Sequence, residues 1–262
     1  MSRKIVITSG KGGVGKTSVC ANLGIRLASL GKRVCMVDAD FGLNNLDLVT
    51  GLENLVVYDA IDCIEGRCRP KQALIRSKAN KNAYILPSIH SLSKPEFPPE
   101  KLKDLIEGLS TSFDFVLIDC PAGVSGGFKT AVSVADEALL ITTPHLSSLR
   151  DADKVIACLR SFKTQTIKLV INRVRGDLVV GGMTISPEEI EKTLKCRLAG
   201  VIPEDDRIFL YSAGFLPPDS PSYKAFKILA SNVANDKDRI FNYSKEYRGF
   251  LGSIRRGLKR TL

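Results

Sequence analysis

Apolar residues in this chain follow two rhythms. Short, nearly unbroken runs occupy Ile5–Ile7, Arg33–Asp38 (RVCMVD), Phe113–Asp119 (FDFVLID), Ala138–Thr142, Ile167–Asn172 and Leu198–Ile202. Between them apolar positions recur every three or four residues, as in Val19/Leu23/Leu27/Leu30, Leu102/Leu105/Ile106/Leu109, Val155/Ile156/Leu159/Phe162 and Ala225/Phe226/Leu229/Ala230/Val233. Runs without alternation fit strands covered on both faces, and the slower rhythm fits helices packed by one side. Strand and helix patterns alternate throughout, which predicts an α/β fold with a mostly parallel central sheet and helices on both faces. Residues 55–111 read as helices and short strands, with Tyr84–Pro87 the clearest strand. Pro98-Pro99-Glu100 places proline in a helix's first turn, and Ser186-Pro187-Glu188-Glu189 is a capping box. No internal repeat or second domain is visible. The pattern divides the chain into a domain at 1–235, a polar linker at 236–249 and an amphipathic segment at 250–262.

The chemistry concentrates where the first strand meets the first helix. Ser9 to Ser18 reads Ser-Gly-Lys-Gly-Gly-Val-Gly-Lys-Thr-Ser. Gly10-x-x-x-x-Gly15-Lys16-Thr17 is Walker A spacing in the strand–loop–helix context that gives the motif meaning. Glycines let successive backbone N–H groups turn toward phosphate oxygens, the helix N-terminus adds its dipole, Lys16 adds a charge and Thr17 a hydroxyl for Mg²⁺. The candidate nucleotide loop is therefore Gly10, Lys11, Gly12, Gly13, Val14, Gly15, Lys16, Thr17 and Ser18, in a single-domain P-loop NTPase. Asp38 and Asp40 follow the second strand, at the carboxyl edge where open α/β sheets bind ligands; as turn-makers or caps they would serve equally well. Asp119 ends an apolar strand with Walker B spacing, a carboxylate suited to Mg²⁺.

Lys11 makes the loop distinctive. Gly-Lys-Gly-Gly-Val-Gly-Lys-Thr resembles the deviant Walker A loop of the family that holds the cell-division ATPase MinD, the ParA partition ATPases and the nitrogenase iron protein. The resemblance covers about residues 3–233 and the last thirteen residues. It implies an ATPase whose cofactors are ATP and Mg²⁺ and whose Lys11 reaches the nucleotide of a second subunit, making an ATP-bound homodimer. Residues 41–47 (FGLNNLD) resemble switch I of the MinD type. By that likeness Thr17, Asp38 and Asp119 serve the metal and Asp40 positions the attacking water. Asn45 would join the dimer face, while Asn44 departs from a common arginine. Gly123, after Pro121-Ala122, would sense the γ-phosphate. Asn172 and Arg173, with Pro203, Glu204 and Asp205, would flank the adenine. Ser148-Leu149-Arg150-Asp151-Ala152-Asp153 resembles the surface for a MinC-like inhibitor, and reads equally well as a capped, solvated helix start. A MinE-like activator of hydrolysis is a further implied partner.

Composition narrows the function classes. The chain has 262 residues, 44% of them hydrophobic, enough for one sizeable core. No apolar run approaches the ~20 residues of a membrane-spanning helix. The first strand is expected within four residues of the N-terminus, which leaves no room for a signal peptide. Seven cysteines form no C-x-x-C pair, so a cytoplasmic chain with buried thiols at Cys20, Cys35 and Cys158 is expected. Cys63 and Cys68 offer only two candidate metal ligands.

A net charge of +10 first suggests nucleic acid, but its distribution redirects that expectation. From Lys245 onward six basic residues face one acid, a sum of +5. On a helical projection Phe250, Leu251, Ile254, Leu258 and Leu262 share one side and Arg256, Lys259 and Arg260 the other. Thirteen helical residues span about 20 Å, which lies on a bilayer without crossing it. Burial of four large apolar side chains contributes at most roughly 6–12 kcal/mol, similar to the cost of ordering the segment. One tail alone should bind weakly; two on one dimer gain ~10²–10⁴ in avidity. A terminal helix docked on the domain would show the same pattern. The resemblance favours a peripheral position on the cytoplasmic face of the cell membrane, with anionic lipid and no nucleic acid as partner. The alternatives are a flagellar-number ATPase, a ParA-type positioning ATPase, or a nucleotide-switched scaffold with negligible turnover. Cysteine spacing disfavours the iron–sulfur carrier branch.

Overall fold

The computed structural model describes residues 1–41, 45–88, 98–124, 126–162 and 164–260, with the side chains at 251, 255 and 258–260 left out. Asn44, His90 and Leu262, and the side chains of Leu251 and Leu258, therefore lie outside the described residues. Eight strands are described: β1 Arg3–Thr8, β2 Val34–Asp38, β3 Ile75–Arg76, β4 Ala83–Leu86, β5 Phe115–Asp119, β6 Glu137–Thr142, β7 Thr166–Val174 and β8 Leu198–Pro203. They form one sheet in the order β3-β4-β2-β5-β1-β6-β7-β8. Every described pair is parallel except β3 with β4 at the edge. The helices before β5 are α1 Lys16–Ser29, α2 Leu46–Thr50, α3 Ala60–Ile64, α4 Pro70–Ala73 and α5 Pro99–Ser110. After it come α6 Gly126–Ser133, α7 Leu146–Ser161, α8 Gly176–Val180 and α9 Pro187–Leu194. The last three are α10 Arg207–Leu210, α11 Pro221–Asn235 and α12 Gly249–Arg260.

Strand residues divide by parity between two apolar layers. Val6, Cys35, Val37, Val116 and Ile118 pack with α5, α6, α7 and α9 on one face. Ile5, Ile7, Val34, Met36, Phe115 and Leu117 pack with α1 and α11 on the other. Period-2 projection from strands apolar at every position fills both faces. The expected helical stripes point inward: Leu102, Leu105, Ile106 and Leu109 of α5 are buried, as are Ala225, Phe226, Leu229, Ala230 and Val233 of α11. The Ser186 hydroxyl and Glu189 carboxylate cap α9 reciprocally, as the spacing predicts. One boundary moves: α7 begins at Leu146, three residues before the expected Leu149. Cys20 and Cys35 are buried, whereas Cys158 is only partly so.

Residues 236–248 run across the domain and are fastened to it. Lys168 holds Asp236 at 2.5 Å, Arg197 holds Asp238 at 2.5 Å and the Tyr243 hydroxyl donates to Glu188 at 2.8 Å. Ile240 and Tyr243 pack on one apolar layer and Phe241 on the other. A Cβ on Gly176 would come within 2.0 Å of the Tyr243 carbonyl oxygen, so the backbones touch there. The segment delivers α12, whose Gly252 abuts Tyr247 and whose Arg256 donates to the Tyr247 carbonyl. Phe250 of α12 is 82% exposed and Ile254 49% exposed. No helix among the described residues is long and apolar enough to cross a membrane.

Candidate active site

The loop from Gly10 to Gly15 joins β1 to α1 at the sheet's carboxyl edge. Gly13 and Gly15 hold φ of +75° and +94°, the left-handed region that glycine enters without a Cβ clash. Gly15 is the N-cap of α1, so the helix's first N–H groups open into the loop. Neighbours press the loop from two sides. A Cβ on Gly10 would lie 2.4 Å from the carbonyl carbon of Asp151 in α7, and one on Gly15 would lie 2.4 Å from Asn172 Nδ2. Gly10→Ala should therefore cost about 1–3 kcal/mol through overpacking and lower the melting temperature by roughly 3–8 °C. Gly12→Ala, whose Cβ meets nothing within 4 Å, should change it little. Thermal melts of both variants check this.

Parallel register brings the carboxylates together. β2 and β5 are neighbours with Asp38 opposite Asp119, and Asp119 also pairs in register with Ile7 just before the loop. Both aspartates are almost fully buried. Asp38 Oδ1 accepts from Asp40 N at 3.0 Å, and Oδ2 from Asn45 N and Leu46 N at 3.2 and 3.3 Å. Burial, with Asp119 alongside, pushes the Asp38 carboxyl well above the usual carboxylate range. Burial likewise pushes Asp119 up to about 6, against the pull of the Thr17 hydroxyl and the Lys16 ammonium. Asp40 lies close enough to raise both. Asp119 Oδ1 is buried with no hydrogen-bond partner among the described residues. Crowded, buried carboxylate oxygens beside a hydroxyl fit a hard divalent cation, so Thr17, Asp38 and Asp119 can hold Mg²⁺. Such an ion supplies charge stabilisation at a phosphoryl oxygen.

The far side of the loop is a cleft lined by Gly15, Ser18, Asn172, Arg173, Glu204 and Phe209, among others. It forms where the β7–β8 register shifts between Ile171 and Val174. Arg173 takes a left-handed φ of +56° at that shift, a conformation most side chains avoid. Asn172 Nδ2 donates to Val14 O at 2.8 Å, tying the cleft to the loop. Its Oδ1 is left a buried acceptor without a partner among the described residues. Pro203 and Asp205 line the same cleft, as expected, and the Asp205 carboxylate is also bonded to the protein. It accepts from Ser220 Oγ, Ser222 N and Arg207 N, and these bonds outweigh partial burial to hold it below the usual range. Sequence reading missed Phe209, whose ring lies 5.8 Å from the Arg173 guanidinium; its signal is an apolar run, Ile208-Phe209-Leu210, that stays exposed at Phe209 and Leu210.

Two expected site residues and one expected partner surface stand apart from the cradle. Lys11 is exposed, its Nζ 3.4 Å from Ser147 Oγ at the start of α7. Gly123 has φ +84°, and its N–H donates to Ser9 O at 3.0 Å rather than into the loop. Within Ser148–Asp153, Ser148, Leu149 and Ala152 are buried, so only Arg150, Asp151 and Asp153 offer surface. Ser148 accepts from the Thr143 hydroxyl at 2.9 Å.

A glycine loop feeding a helix, two buried carboxylates at neighbouring strand ends with a third just beyond, and a cleft on the loop's far side define a P-loop nucleotide hydrolase that uses Mg²⁺. The CobQ/CobB/MinD/ParA nucleotide binding domain matches residues 5–215. The chain is 41% identical to the septum site-determining protein MinD of Bacillus subtilis, over 97% of each chain. It superposes on MinD of the Aquifex aeolicus MinC:MinD cell division complex with a TM-score of 0.84 at 38% identity, covering 90% of this chain and 97% of that one. For the Pyrococcus horikoshii MinD complexed with Mg-ADP the TM-score is 0.80 at 34% identity, covering 90% and 97%. The chain belongs to the CobQ/CobB/MinD/ParA family of nucleotide-binding ATPases, on its MinD branch.

Proposed function

We propose that this chain is a division-site-positioning ATPase that cycles between a free form and an ATP-joined dimer on the cytoplasmic face of the membrane, where it recruits a MinC-like inhibitor. The placement of Lys11 carries the reading. Its ammonium lies outside its own cradle, on the rim beside α7, where it can serve a nucleotide held by a second copy. Lys16 and Thr17 then hold the phosphates and Mg²⁺ with Asp38 and Asp119, and Asp40 orients the attacking water. Gly123 N–H meets the γ-phosphate by giving up its bond to Ser9 O. The unpartnered Asn172 Oδ1 suits the exocyclic amine of adenine, a donor where guanine has an acceptor, which supports ATP as the nucleotide.

The exposed Phe250 and Ile254, with Leu251 and Leu258, supply the membrane contact. Two such helices on one dimer bind an anionic surface that one holds poorly. Arg150, Asp151 and Asp153 are the part of the α7 start open to an inhibitor, and a MinE-like activator is the second partner. Co-sedimentation with vesicles containing anionic lipid tests the cycle. ATP with Mg²⁺ should raise the bound fraction at least about tenfold over ADP. Equal binding with both nucleotides would sink the proposal.

A further inference from the structure

Cys63 and Cys68 lie outside the nucleotide site and carry no role in the cycle. Their sulfurs are 3.5 Å apart and both side chains are partly buried. Cys63 belongs to α3, and the chain reverses after it through Gly66 at φ +77°. Backbone bonds fix the reversal without help from sulfur: Gly66 N donates to Cys63 O at 3.1 Å and Arg67 N to Asp62 O at 2.8 Å. The Arg67 guanidinium holds the Asp62 carboxylate at 2.6 Å, and Asp59 caps α3 through Asp62 N at 2.8 Å. Two thiols are thus presented to each other by a turn that is already built. Among the described residues no third Cys, His, Asp or Glu joins the two sulfurs in a group that could hold a metal, so the pair is not a fragment of a metal cluster.

We infer that Cys63 and Cys68 are an oxidisable dithiol, a modification site at which a peroxide-class two-electron oxidant closes an intramolecular disulfide. Closure to the S–S bond length of about 2.05 Å needs the sulfurs to approach by roughly 1.5 Å, within reach of side-chain rotation on a fixed turn. Burial first, and then the neighbouring Cys68, pushes the Cys63 thiol up to about 12, so Cys63 keeps its proton at neutral pH. Cys68, which lies beyond the turn and outside α3, is the attacking sulfur. Its sulfur takes one peroxide oxygen, the O–O bond breaks, and the thiol proton leaves with the second oxygen as water. Cys63 sulfur then attacks the Cys68 sulfenic acid; the S–O bond breaks, the S–S bond forms, and the departing hydroxide takes the Cys63 proton to make a second water. Peroxide is reduced and two thiols are oxidised. A thiol reductant reverses the bond.

The test treats the reduced full-length chain with hydrogen peroxide, then unfolds and alkylates it for peptide mass spectrometry. Cys63 and Cys68 should lose alkylation together, at least about tenfold faster than the buried Cys20 and Cys35, with the pair lighter by two hydrogens. Dithiothreitol should restore both. In Cys63→Ser, Cys68 should remain as a sulfenic acid that dimedone traps, a readout independent of disulfide closure. Retention of both thiols under conditions that oxidise a free thiol peptide would overturn the inference. So would independent oxidation of each to sulfinic acid, or pairing between chains.

Discussion

Lys11→Ala should abolish hydrolysis while leaving nucleotide binding nearly intact. Among the described residues the mutated side chain bonds Ser147 Oγ, at 3.4 Å, whereas Lys16 and the loop amides remain to hold phosphate. ADP affinity of the single subunit should stay within about threefold, a change under 1 kcal/mol. A cation delivered in trans to a phosphoryl transition state is worth about 10³–10⁵ in rate, so turnover should fall by at least about 10³-fold. The dimer should disappear with it, read as a single-subunit mass in the presence of ATP and Mg²⁺. A variant that loses ADP affinity as steeply as turnover would place Lys11 in its own subunit's cradle instead.

Asp119→Asn should produce a protein that is more stable and inactive. The folded carboxyl, pushed up to about 6 from an ordinary 3.8, is a buried charge with an unpartnered oxygen. A shift of that size is worth about 1–3 kcal/mol of destabilisation at neutral pH, since a full unit equals about 1.4 kcal/mol. The sign follows from proton binding. The folded state holds this proton more tightly, so its stabilising contribution is complete below about pH 4 and lost as pH rises through 6. Without Mg²⁺, the variant should therefore melt above the parent at pH 7.5, and the gap should close by pH 4. Hydrolysis should drop by at least about 100-fold, because the amide cannot replace a charged ligand oxygen. An unchanged melting temperature at pH 7.5 would mean that Asp119 stays neutral or already compensated there.

Both variants test residues that were legible from sequence because their chemistry is local. A glycine loop needs its glycines within eight residues, and strand-end aspartates follow a visible apolar run. The alternation of strand and helix patterns likewise predicted the parallel sheet and both its layers. What escaped was tertiary. The short elements α2, α8 and β3 have too few residues for a period and exist because neighbours hold them, as the Asp38 carboxylate holds the start of α2. Asp205 lines the cleft as its place after β8 suggests, but that Ser220, fifteen residues on, bonds its carboxylate could not be read from the sequence. Gly123 reads as a free phosphate sensor until Ser9 is found opposite it across the sheet edge. The start of α7 moved because Leu146, though apolar, stays exposed and gives no periodic signal.

The fastening of residues 236–248 has a mechanical consequence. A loose stretch of that length would act as a tether, letting the last helix sweep a wide volume and leaving the domain free to tumble above any surface it touched. Ion pairs at Asp236 and Asp238, with the Tyr243–Gly176 contact, carry the fastening forward to about Gly249, and Gly252 and Arg256 then hold the last helix against Tyr247. From there the helix works as a short spoke of about 18 Å on a rigid hub. A surface that captures the spoke also sets the hub's attitude, and with it the direction in which the rest of the molecule is presented to partners.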